Sequence, residues 1–175
     1  LQLMSPRADN NLGGSWKSAF PTPGASNATV AVENLPPHVR QVRHSPKQPR
    51  GGEVVTITAK ITDDDGVAAV SLRYQAVTPG AYFARNDGQY AQGWLSVAMH
   101  DDGLAGDARA DDDLYSVQVP ADVQAHRNLV RYRIVAADRL SASTVAPYAD
   151  DPQPNFAYFV YDGVPAWRGA MQPGV

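Results

Sequence analysis

The punctuation of this chain constrains its fold more than any other feature. Fourteen glycines and fourteen prolines fall at short intervals through 175 residues. Between them no stretch of more than about ten residues keeps the 3.6-residue apolar period of a helix. The segments instead alternate apolar and polar side chains and are rich in Val, Ile, Thr and Tyr, which suit a pleated, half-buried surface. In Glu53–Thr62, Val55, Ile57, Ala59 and Ile61 share one face, and Thr56, Thr58 and Lys60 share the other. Val67–Val77 sets Val70, Leu72 and Tyr74 against Ser71 and Arg73. Leu129–Ala137 sets Val130, Tyr132, Ile134 and Ala136 against Arg131, Arg133 and Val135. Val39–His44, Trp94–Met99, Leu114–Val119 and Phe156–Tyr161 complete a set of about seven strands.

The connections carry turn chemistry. Asp63-Asp64-Asp65-Gly66 is a turn that predicts a hairpin-like pairing of the strands on either side of it. Thr78–Gln92 is a long connection containing Asp87-Gly88, His100–Asp113 is an acidic loop, and Ser141–Asn155 is a polar, proline-containing loop. Few short strands with long crossings between them predict an all-β immunoglobulin-like or fibronectin-III-like sandwich over residues 37–161. A small barrel is the competing all-β arrangement. The flanks, residues 1–30 and 162–175, read as irregular, apart from a strand-like Leu1–Met4. Trp16 and Trp167 are expected to pin them to the sandwich.

Composition removes several functions. With no cysteine there is no disulfide framework, thiolate metal site or cysteine nucleophile. A net charge of −3 offers no electrostatic footprint for nucleic acid. The one basic stretch, Arg40 to Arg50, is broken by Pro46 and Pro49 and reads as a solvated strand end. No apolar run approaches the roughly 20 residues of a membrane span. Leu1 is not an initiator Met and no signal peptide is present, so the chain reads as an internal piece of something longer.

The only run with readable metal chemistry is His100 to Tyr115, which holds Asp101, Asp102, Asp107, Asp111, Asp112 and Asp113. Calcium takes six to eight oxygen ligands from a loop that glycine allows to turn sharply, and Gly103 and Gly106 are placed for such turns. Two readings stand: plain Asp/Gly turn chemistry, and a calcium site using Asp101, Asp107, Asp111 and Asp113. The spacing is not that of an EF-hand. The second candidate is the aromatic group Tyr82, Phe83, Tyr90 and Trp94. Tyr82, Tyr90 and Trp94 would make a sugar-binding platform if their rings were open to solvent, and a cover for the core if not. His38, His44, His100 and His126 lack metal-pair spacing, there is no Gly-x-Ser-x-Gly elbow, and Glu33 and Glu53 are the only glutamates. Asn27-Ala28-Thr29 matches a glycosylation pattern and is read as chance.

The run Leu1-Gln2-Leu3, Pro6, Asp9-Asn10, Trp16 and Pro21-Thr22-Pro23-Gly24-Ala25-Ser26-Asn27 resembles the C-terminal end of a lamin-tail domain of bacterial exported proteins. Glu53–Ala59, Asp64–Val67, Met99–Gly103, Gly106-Asp107, Ala110–Tyr115 and Val130–Asp138 resemble the immunoglobulin-like module that often follows it in such proteins. Tyr158–Pro165 is similar to the join with a kinase-like domain related to spore-coat protein H. The resemblance implies a secreted or cell-envelope bacterial protein, with none of the kinase's catalytic residues in this chain. The expected role is non-catalytic: a monomeric structural spacer or interaction module partnered by its neighbouring domains, with no cofactor unless calcium binds. The alternatives are a carbohydrate- or surface-partner-binding module using Ala81–Trp94, and a hydrolase.

Overall fold

The computed structural model describes residues 1–6, 8–26 and 33–164. Trp167 and the Asn27–Thr29 sequence lie outside them. Eight strands form two antiparallel sheets: β3 (His38–Ser45), β4 (Val55–Thr62), β5 (Val67–Val77), β6 (Leu95–Ala98), β7 (Leu114–Val119), β8 (Leu129–Asp138), β9 (Ser143–Ala146) and β10 (Phe156–Phe159). One sheet runs β3-β4-β7. The other runs β10-β8-β5-β6, with β9 also paired to β8. Before them, β1 (Gln2–Leu3) and β2 (Trp16–Lys17) form a two-stranded ribbon.

The alternation read from the sequence becomes the core. Val55, Ile57, Ala59 and Ile61 from β4 and Val70, Leu72 and Tyr74 from β5 meet Val130, Tyr132, Ile134 and Ala136 from β8 in one buried cluster spanning both sheets. Each fully buried aliphatic side chain contributes about 1.5–3 kcal/mol. The architecture is therefore a β-sandwich.

Two readings of the loops need correction. β4 and β5 are not a hairpin pair. β4 bonds to β3 and β7, and β5 bonds to β6 and β8, so Asp63–Gly66 carries the chain from one sheet to the other. Two strands facing each other across a core have the same alternation as two strands side by side, so period alone does not separate the cases. The loop Ser141–Asn155 also contains a strand. β9 pairs Ser143–Ala146 with Ala137–Ile134, while β10 pairs with the other half of β8, at Leu129–Tyr132.

The chain enters the sandwich at one end and leaves at the other. β3 begins where His38 pairs with Thr62, at the end that holds Gly66 and Asp138. The N-terminal flank packs there: a Cβ added to Gly14 would lie 2.8 Å from His38 Nδ1 and 3.1 Å from the Tyr148 hydroxyl. That hydroxyl lies 3.3 Å from both the backbone nitrogen and the carbonyl oxygen of Val39. Trp16 shares a groove with Pro36, Pro37 and Val145, and its indole N–H donates to Asn10 O at 2.8 Å.

At the exit, Tyr161 N donates to Pro49 O and Arg127 N to Val160 O. Asp162 accepts from Gly51 N and donates its own N–H to His126 Nδ1 at 3.0 Å. β8 separates the two ends by about 33 Å, ten residues at ~3.3 Å each.

Polar groups border the core: buried Gln124 donates to the Tyr158 hydroxyl at 3.0 Å, and half-buried His44 meets Tyr132. His44 Nδ1 lies 3.0 Å from the Tyr132 hydroxyl and its Nε2 3.2 Å from Lys47 O. Lys47 O can only accept, so the neutral ring carries its proton on Nε2 and accepts from Tyr132 on Nδ1. Burial lowers the pKa of His44, with the Lys47 charge adding to it, against the hydrogen bond to Lys47 O. Burial also pushes the Tyr132 phenol up.

Candidate functional site

The acidic loop starts where His100 pairs with Ser116 and folds back over the outer face of β4 and β7. Gly106 makes this approach feasible. It sits at φ +100, and a Cβ there would be 2.8 Å from Thr56 Cγ2. Inside the loop the carboxylates cap backbone N–H groups. Asp101 accepts from Asp112 N at 3.2 Å and Asp113 N at 2.8 Å. Asp107 accepts from Gly103 N at 2.7 Å and Asp112 from Leu114 N at 3.0 Å.

The loop brings Asp101, Asp107 and Asp112 together, with one carboxylate oxygen of each within 4.8 Å of the others. Asp107 is 8% exposed. Two of the four aspartates expected as ligands are in this group, and Asp111 and Asp113 are not. Asp111 and Asp113 take left-handed backbone, φ 59 and 65, on either side of Asp112. Tyr115 lies beside the group. Burial first, and then the charges of Asp101 and Asp113, hold its phenol above the ordinary range.

The aromatic residues occupy the outer face of the other sheet. The connection from β5 to β6 lies over β8, held by Gln75, whose amide donates to Gln92 O at 2.6 Å. The two outward arginines of β8 then interleave with the rings. The Arg131 guanidinium carbon is 4.8 Å from the Phe83 ring centre and 5.3 Å from that of Tyr90. That of Arg133 is 5.4 Å from Tyr90 and 4.5 Å from Trp94. Each arginine also donates to a loop carbonyl, Arg131 to Phe83 O at 2.7 Å and Arg133 to Pro154 O at 2.8 Å. The Tyr90 hydroxyl accepts from Arg133 at 2.9 Å and donates to Asn155 Oδ1 at 2.6 Å.

Tyr90 and Trp94 thus stand together in a ladder of alternating cations and rings. Tyr82 stands apart from it, 45% exposed, its hydroxyl donating to Arg127 O. The arginines were legible as two outward side chains on β8, but not as partners of a loop some 40 residues upstream. An Arg-x-Arg pair on a strand face, together with four clustered aromatics, is the signal that finds them. No family model matches the chain, and a search of the curated proteins finds no match.

Proposed function

We propose that the chain is a non-catalytic spacer of a larger exported bacterial protein, an immunoglobulin-like module that sets the distance and angle between its neighbours. The observation that carries this reading is the through-going path: entry and exit at opposite ends, with backbone hydrogen bonds holding the exit as far as Tyr161 and the side chains of Asp162 and His126 holding it at Asp162. The strand order, with β9 and β10 sharing the last strand position, supports the immunoglobulin-like assignment. The lamin-tail resemblance of the first 27 residues supports an upstream neighbour. The sugar-platform reading of the Ala81–Trp94 loop is disfavoured because Tyr90 and Trp94 are already engaged by guanidinium groups.

Backbone relaxation tests the spacer. Tyr161 and Asp162 are expected to have order parameters near 0.85, as the strands do. Values below about 0.6 at Tyr161 would refute a fixed exit. An Asp162→Ala change is expected to lower the order parameter at Asp162 without altering the core strands.

Within this reading the acidic loop is a calcium brace, held by Asp101, Asp107 and Asp112. Three carboxylates this close repel one another, and a divalent cation relieves that repulsion. Calcium at 100 times its dissociation constant would raise stability by about 2.7 kcal/mol. An Asp107→Asn variant is expected to lose that gain. An unchanged melting temperature at millimolar calcium would leave the loop as turn chemistry alone.

A further inference from the structure

On the outer face of β3-β4-β7 the acidic loop packs its Gly106 against Thr56 and Gln118, and the β3 side beside it carries a chemistry that neither the spacer nor the calcium brace uses. The register places three rows on this face: Arg40, Lys60 and Leu114; Arg43, Thr58 and Ser116, the last of them buried; Ser45, Thr56 and Gln118. There is no carboxylate in these rows, although acidic residues outnumber Lys and Arg by 18 to 15 in the chain. Among the described residues the only ion pair is His126–Asp162. Arg43, Lys47 and Lys60 therefore have no carboxylate partner there.

Arg43 and Lys47 flank an open cavity of about 430 Å³ whose lining also includes His44, Ser45, Thr56, Thr58 and Gly106 of the acidic loop. The two cations are exposed, and the hydroxyls between them can both donate and accept.

We infer that this face binds an acidic polysaccharide along β3 and β4. Uncompensated cations supply attraction to its carboxylates, and the serine and threonine hydroxyls match its sugar hydroxyls. Nucleic acid fits less well. Single strands are held by aromatic stacking, and no ring stands in the three rows. His44 lines the cavity, but its ring packs on Tyr132 and Tyr158 and both its nitrogens are engaged, by the Tyr132 hydroxyl and by Lys47 O. Duplex binding requires many phosphate contacts, and this face offers few cations.

The test is titration of polygalacturonate oligomers into the chain at pH 7, with EDTA present so that calcium cannot bridge the polymer to the acidic loop. Saturable binding is expected at 50 mM salt, weakened at least tenfold at 300 mM because the contacts are exposed. An R43E/K47E variant with an unchanged melting temperature is expected to bind at least tenfold more weakly. Three results would each overturn the inference: no binding at low salt, undiminished binding by R43E/K47E, or equal affinity for a DNA duplex of similar charge. None of these bears on whether the module is a rigid spacer.

Discussion

Replacing Arg133 with Ala is expected to destabilise the protein by about 2–3 kcal/mol. Two charge-assisted hydrogen bonds at ~1.5 kcal/mol each and two cation–π contacts at ~0.5–1 kcal/mol each add to about 4–5 kcal/mol, of which the partial solvent exposure of the site screens roughly half. The side chain donates to Pro154 O and to the Tyr90 hydroxyl while covering the Tyr90 and Trp94 rings. Its loss releases two segments at once, the β5–β6 connection and the residues before β10. The melting temperature should fall by roughly 5–10 °C. Arg133→Lys should recover only part of the loss, because an ammonium keeps the charge but not the planar fork. If Arg133→Ala melted within a degree of the parent chain, the ladder would be surface decoration and the rings would again be candidates for a ligand. Thermal melts of the three proteins decide the point.

The second large effect is expected at Tyr132, which is 2% exposed and packs against Phe156, Tyr158 and His44. Tyr132→Ala should cost about 3–5 kcal/mol, the range for emptying an aromatic site in a core. Against a typical total of ~5–15 kcal/mol, that leaves a marginal fold. Tyr132→Phe keeps the volume and removes only the hydroxyl that serves His44 Nδ1, so it should cost about 1 kcal/mol. Urea midpoints of the two variants separate packing from hydrogen bonding. Equal losses would mean that the His44 contact, not the ring, dominates.

How far the sequence disclosed these features depends on the range of the interaction. β4 and β8 were readable because each alternates strictly and buries one whole face. β9 was not, because Ser143-Thr144-Val145-Ala146 buries only Ala146 among its four side chains. Period alone does not disclose that β4 and β5 lie in different sheets, because facing and bonded strands share one period. In the acidic loop the cluster itself was readable, but its membership was not. The left-handed backbone at Asp111 and Asp113 is a property of the folded loop that no local rule assigns to those two aspartates. The arginine–aromatic ladder was the least readable of all. Arg131 and Arg133 look like solvated side chains until the β5–β6 connection is seen to lie across them.

The ladder, the buried Tyr132 cluster and the Asp162 clasp all act in one direction: they remove freedom from the path between the two ends. The protein has no cysteine, so a Ser18→Cys/Val164→Cys double variant would carry one unique pair of spin labels. Both positions lie outside the sandwich, one in the N-terminal flank and one beyond the Asp162 clasp, and Val164 is 84% exposed. Pulsed electron–electron distance measurement on that pair tests the spacer directly. A rigid spacer gives a single narrow distribution centred beyond about 30 Å, the minimum set by the length of β8. A broad or multi-peaked distribution, in a variant that melts like the parent, would contradict it.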